Sequence, residues 1–301
     1  MKVAISTSSF GSASQDALKL LRDKGIEIKE NPYGRRLTEA EIILHLQDVD
    51  GLLAGLEPLN KNVLSQAPQL KALARVGVGT ANVDFTAAQE YGIKVSNTPN
   101  GPTFAVAEMT VTAILALLRN LPEINTRMHQ GEWPKMVHQS LSGKQVFIVG
   151  FGRIGAKVAE LLSVFETFIY VYDPVDMPMP DYCSKISFEA GLRLADIISF
   201  HAAGEAEIVG ESEFEQMKTG VYILNSARGS LLNEQSLIKN LDNGKLAGVW
   251  LDSFWHEPYI GDLMNYDRVL MTPHTSTYTA VCRASMELDA AKNMIRDLGL
   301  E

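Results

Sequence analysis

At 301 residues, with 46% hydrophobic and 21% charged residues, the chain has the composition of a folded protein long enough for two domains rather than one. A formal net charge of −9 argues against nucleic acid or an anionic membrane as the main partner, because both need clustered Lys and Arg; a locally positive pocket can still take a small anion. The cysteines, Cys183 and Cys282, form no CxxC pair, so neither a metal site nor a disulfide framework is expected, and a reduced cytoplasm fits.

In chain order, β-rich runs at 2–6, 25–29, 51–56, 72–76 and 94–97 alternate with helical spacing, as at 15–24 and 39–47. That alternation predicts α/β units with mainly parallel strands, and the first run reads as a strand rather than a secretory signal. Segment 103–119 is apolar almost all round apart from Glu108 and its threonines, so it must be buried on several sides, inside a subunit or between subunits. A second series of strands is expected at 145–149, 168–172, 197–201, 221–225, 246–251 and 269–271, followed by a helix over 278–298. The longest apolar stretch, 113–118, is far short of the ~20 residues that cross a bilayer.

The strongest local motif is GFGRIG, with Gly150, Gly152 and Gly155 on the GxGxxG spacing. The apolar run KQVFIV precedes it and an amphipathic helical pattern follows, which is the strand–turn–helix context that gives the motif meaning. Gly150 permits the tight turn, Gly152 lets the backbone approach a pyrophosphate, and Gly155 lets helix and strand pack closely. A second strand ends at Asp173, eighteen residues beyond Gly155. A carboxylate there accepts the ribose hydroxyls of NAD and repels the extra phosphate of NADP, so NAD is the expected cofactor.

Three acid–base groups follow strands of the second series: Arg228 in SARGS, Glu257 in LDSFWHEP and His274 after VLMTP. Here the chain resembles the D-isomer-specific 2-hydroxyacid dehydrogenases, which include the phosphoglycerate dehydrogenases. The resemblance runs through RVGVGTANVD at 75–84, NTPNG at 97–101, AE at 107–108, GEW at 131–133, GFGRIG, NSARG, LD at 251–252, EP at 257–258 and TPH at 272–274.

The resemblance implies an α/β fold of two doubly wound parallel-sheet domains. A flavodoxin-like substrate domain would span 1–98 plus 276–301, and a Rossmann NAD-binding domain 99–275, with the helix near 103–119 at a homodimer interface. It implies a catalytic set of Arg228, Glu257 and His274. Reducing a ketone leaves negative charge on its oxygen, so a proton donor must stand beside the carbonyl, and histidine suits neutral pH. A carboxylate on its other ring nitrogen favours the protonated ring and fixes its orientation, while an arginine fork binds the substrate carboxylate and polarises the carbonyl. The expected cofactor set is Gly150, Gly152, Arg153, Ile154, Gly155, Asp173, His201, Ala227 and Asp252, the last near the nicotinamide. Val78 and Gly79 would hold the substrate carboxylate through backbone N–H groups, with Arg75 nearby, and the first domain would close on the second to exclude water.

Departures from the family pattern fall around substrate and nicotinamide. The stretch after His201 is shorter by about three residues, Thr275–Thr277 replace a small Ile-Gly-Gly type run, and Pro102 stands where Asn is common. Gly55 stands where phosphoglycerate dehydrogenases tend to carry Arg, and the chain ends without a regulatory C-terminal domain, so a phosphorylated substrate is not favoured over other 2-hydroxy acids. Arg35 and Arg36 read better as solvated surface than as phosphate ligands. His45, His129 and His138 read as surface or packing residues, and His256 as a neighbour of Glu257. The alternatives are an NAD(H)-sensing corepressor-like protein on the same scaffold and, more distantly, a Rossmann methyltransferase, for which the acid–base set has no task.

Overall fold

The computed structural model describes all residues, Met1–Glu301. The chain divides into two compact units, Met1–Pro102 with Thr277–Glu301, and Thr103–Ser276. The first unit holds strands β1 (Lys2–Ile5), β2 (Glu27–Lys29), β3 (Gly51–Ala54), β4 (Ala72–Arg75) and β5 (Lys94–Asn97), all parallel, in the order β2-β1-β3-β4-β5. This is the flavodoxin-like order, with its switch point between β1 and β3. On one face Ala4, Leu52, Ala54 and Leu73 pack with Ile42, Val63 and Ala87 from three short helices. Helices Asp16–Asp23 and Ala280–Asp297 pack together, and the latter lies on β3, β4 and β5. It sits so close that a Cβ at Gly51 would meet the sulfur of Met294 at 2.4 Å.

The second unit holds β6 (Gln145–Val149), β7 (Phe168–Tyr172), β8 (Cys183–Lys185), β9 (Ile197–Phe200), β10 (Val221–Asn225), β11 (Leu246–Leu251) and β12 (Val269–Met271). They form one parallel sheet in the order β12-β11-β10-β9-β6-β7-β8, doubly wound from β6 outward. Alternate residues of each strand face opposite sides. Phe147, Val149, Ile198, Phe200, Ile223 and Leu251 enter one core, and Val146, Ile148, Ile197, Leu224 and Trp250 the other. Burial on both faces is why these strands read as continuous apolar runs.

Differences from expectation are local. The second strand begins at Glu27 rather than at 25 because Gly25 takes a left-handed turn, φ 71°, after the preceding helix. The third ends at Ala54 because Gly55 turns to give its N–H to Glu57 and Ser6. Strand β8 is too short and exposed to show apolar alternation in sequence. The apolar helix runs from Pro102, whose missing N–H costs nothing at a helix start, to Leu118; the chain turns at left-handed Asn120 into a second helix, Leu121–His129. Ala105, Val106, Ala107, Thr110, Ala113, Ile114 and Leu118 are buried, while Phe104, Glu108 and Thr112 form an exposed strip. No single helix is long and apolar enough to cross a membrane.

Candidate functional site

The glycine turn lies at the switch point of the second sheet, between β6 and β9. Gly150 has φ 92°, and a Cβ there would meet the backbone of Ala202 at 2.5 Å, just past the end of β9. A Cβ on Gly155 would lie 2.1 Å from the Gly150 carbonyl oxygen, so both positions must be glycine for the turn to close on the helix. Gly152 is different: a Cβ there meets nothing within 4 Å, so the backbone is open on that side. Helix Arg153–Ser163 begins at this residue, which has no side chain to cap it. An open backbone at an uncapped helix N-terminus suits a pyrophosphate. Ile154 itself packs into the core.

Asp173 follows β7, and its carboxylate accepts from the N–H of Phe151 at 2.7 Å and of Val175 at 2.8 Å. It therefore touches the glycine turn directly, and each oxygen retains a lone pair for a ribose hydroxyl. His201 follows β9, half-buried, with Nε2 on Ser199 at 2.8 Å and Nδ1 on Ser226 at 3.4 Å. Burial pushes this imidazole down to about 4, so it is neutral at physiological pH.

The acid–base groups gather at the C-terminal ends of β10, β11 and β12. Glu257 and His274 are in contact, Nδ1 lying 3.0 Å from both carboxylate oxygens, with both side chains partly exposed. Nδ1 therefore carries the hydrogen given to Glu257, and Nε2 is left for proton exchange. Arg228 leaves β10 in extended backbone, its guanidinium bonded to the Ala227 carbonyl at 2.7 Å. The next residue, Gly229, would bring a Cβ to 2.3 Å from the Phe254 carbonyl carbon, so the arginine turn lies against the loop carrying Glu257.

Two supporting groups escaped sequence reasoning. Buried Asn225 accepts from the Ala227 N–H and donates to the Arg228 carbonyl, shaping the arginine turn. Thr272 accepts from the Trp250 indole and donates to Asp252. The only sequence signal was their place beside the Arg and His motifs. Asp252 is buried, and its carboxylate also takes the N–H groups of Thr275 and Ser276.

The remaining candidates belong to the first unit. Arg75 ends β4, buried, and turns back onto the Val76 carbonyl. Val78 and Gly79 follow in a loop tied to β5 and the residue after it: Gly77 donates to the Thr98 hydroxyl at 2.8 Å, and Asn97 donates to the Val78 carbonyl at 2.8 Å. Arg35 is exposed and forks onto Glu41. His45 is buried against the Ile5 carbonyl. Burial raises both Cys183 and Cys282 to about 11, which leaves neither poised as a nucleophile.

A glycine turn at a doubly wound switch point, with an acid closing the second strand, defines a dinucleotide-binding domain, here carrying an imidazole–carboxylate pair. Residues 111–276 match the family model described as "D-isomer specific 2-hydroxyacid dehydrogenase, NAD binding domain", and the chain belongs to that family. It is 33% identical to human D-3-phosphoglycerate dehydrogenase over 282 residues, 90% of this chain and 52% of that one. It is 33% identical to the glyoxylate reductase of Thermofilum pendens over 286 residues, 89% of this chain and 83% of that one. The chain thus spans about half the length of the phosphoglycerate dehydrogenases it matches. Among solved structures, the NAD-dependent formate dehydrogenase of Staphylococcus aureus, in complex with NAD, superposes with a TM-score of 0.86 at 28% identity, covering 98% of this chain and 95% of that one.

Proposed function

We propose that this protein is an NAD-dependent dehydrogenase that interconverts a 2-keto acid and the corresponding D-2-hydroxy acid. The observation that carries the reading is the His274–Glu257 contact, standing at the strand ends of a domain whose glycine turn suits a pyrophosphate. Bound NADH supplies the hydride. Gly150, Gly152 and Gly155, with the backbone at Arg153 and Ile154, hold the phosphates, and Asp173 the adenosine ribose. Asp252 would stand near the nicotinamide end, with His201 and Ala227 as further cofactor contacts.

As the substrate carbonyl is reduced, charge grows on its oxygen and His274 gives its Nε2 proton there; in the reverse direction it takes that proton back. Glu257 holds the ring and fixes its orientation. Arg228 forks onto the substrate carboxylate and polarises the carbonyl, a task its planar guanidinium suits. In the first unit, taken by itself, the backbone N–H groups at Val78 and Gly79, with Arg75 nearby, are the groups proposed to bind a carboxylate. The relatives named for phosphoglycerate and for glyoxylate are equally similar, and Gly55 supplies no cation for a phosphate, so the substrate class is a small 2-keto acid. The two free cysteines suit a reduced, cytoplasmic setting, and the exposed Phe104, Trp133 and Val137 support a homodimer as the working form.

The test is NADH oxidation with glyoxylate, hydroxypyruvate, oxaloacetate and 3-phosphohydroxypyruvate, in wild type and His274→Ala. Turnover of one member should fall by about 10²–10⁴-fold in the variant, with NADH affinity retained. Tight NADH binding without turnover of any member would point instead to an NAD(H) sensor.

A further inference from the structure

His274 sits on left-handed backbone, φ 54°, a conformation that non-glycine residues hold only when their surroundings impose it. The imposing groups lie on both sides of it in sequence. Before it, Thr272 continues the sheet ladder by donating its N–H to the Leu251 carbonyl, and the His274 N–H closes back on the Thr272 carbonyl at 2.8 Å. After it, the N–H groups of Thr275 and Ser276 reach the Asp252 carboxylate at 2.9 and 3.0 Å. Asp252 therefore holds the far side of the loop, and the Thr272 side chain holds the near side to the same carboxylate at 2.6 Å.

The direction of that last bond is set by a third residue. Trp250 is fully buried, and its indole nitrogen, which can only donate, gives its hydrogen to the Thr272 hydroxyl at 3.0 Å. With one lone pair occupied by Trp250, the single hydroxyl hydrogen of Thr272 points to Asp252. Hydrogen bonds to a carboxylate are short and strong, as this one is. The three side chains come from the ends of neighbouring strands β11 and β12, so the chain Trp250–Thr272–Asp252 ties the histidine loop to the rigid sheet.

We infer that Thr272 is a positioning residue for His274: its hydroxyl, oriented by Trp250, locks the loop onto Asp252 and so sets where the imidazole presents Nε2. The inference rests on the dehydrogenase reading for its kinetic consequence, but its structural content stands on these bonds alone. Thr272 touches neither ring nitrogen; it acts through the backbone that carries the ring.

Thr272→Val keeps the shape and removes the hydroxyl, while Thr272→Ser keeps the hydroxyl. In keto-acid reduction, Thr272→Val should lower kcat by about 10- to 100-fold with KM and NADH affinity little changed, because a displaced proton donor costs the transition state alone. Thr272→Ser should recover most of that loss. Wild-type kcat in Thr272→Val, no recovery in Thr272→Ser, or an NADH affinity falling as far as kcat would each overturn the assignment.

A second readout needs no substrate. The imidazole C–H resonance of His274, assigned by its loss in His274→Gln, should shift or broaden in Thr272→Val and return in Thr272→Ser. An unchanged resonance in Thr272→Val would overturn the tie even if no keto acid were turned over. Conversely, a wild type without His274-dependent turnover would defeat the dehydrogenase reading while this comparison still decided the role of Thr272.

Discussion

Asp173 serves two masters with one carboxylate. It fixes the glycine turn through the Phe151 N–H, and its remaining lone pairs are the ones proposed to take the adenosine ribose. Asp173→Ala should therefore weaken NADH binding and narrow the preference over NADPH, measured by fluorescence titration with each; unchanged discrimination would remove Asp173 from the ribose site. His201 makes a different kind of statement. Its folded value, about 4, lies below the ordinary 6.5 because burial disfavours the cation. Between those values the unfolded chain binds a proton and the folded one does not, so the contribution is complete above about 6.5 and lost as pH falls through about 4. Urea midpoints measured across that window should drop less steeply for His201→Asn than for wild type; parallel slopes would contradict the burial. From sequence, GxGxxG and the position of Asp173 were readable because both are local consequences of one turn and one strand end. The bond from Asp173 to Phe151 was not, since nothing in either segment states its orientation.

At the scale of elements, the site depends on two loops staying in register: the turn after β10, with Arg228, and the loop after β11, with Glu257. Three links join them. The Trp255 indole donates to the Leu232 carbonyl at 2.8 Å, the Tyr259 hydroxyl donates to Glu234 at 2.7 Å, and Gly229 leaves room only for hydrogen against Phe254. Burial and the Glu234 bond push Tyr259 up to about 12, so it remains a donor at any working pH. Gly229→Ala should force the loops apart, costing about 1–3 kcal/mol of stability and lowering kcat/KM more than NADH affinity. Thermal unfolding and steady-state kinetics check both; an Ala variant matching wild type in each would show that the loops are independent. The strands themselves were legible, and β6, β7, β10, β11 and β12 lie where their apolar runs begin and end. Strand β8 was not, because an exposed three-residue edge strand is held by its neighbour's hydrogen bonds rather than by its own apolar pattern.

At the scale of the whole molecule, the apolar helix Pro102–Leu118 leaves Phe104 exposed, and beyond the next helix Trp133 and Val137 are exposed at 74% and 102%. Large apolar side chains in that setting support the proposed homodimer. Light scattering should give twice the 33.1 kDa chain mass for wild type and a shift towards the monomer for Trp133→Glu with Val137→Glu; a monomeric wild type would end that proposal. Composition, apolar periodicity and glycine spacing by themselves determined an α/β chain with parallel strands and a dinucleotide turn, because each depends on residues a few positions apart. Which side chains meet was decided only in three dimensions. Glu257 reaches His274, and Asp252 reaches Thr272, Thr275 and Ser276, because parallel strands deliver segments 17 to 24 positions apart to one edge of a sheet. Hydrogen-bond direction and backbone handedness at such an edge follow from which groups lie opposite one another across the loops.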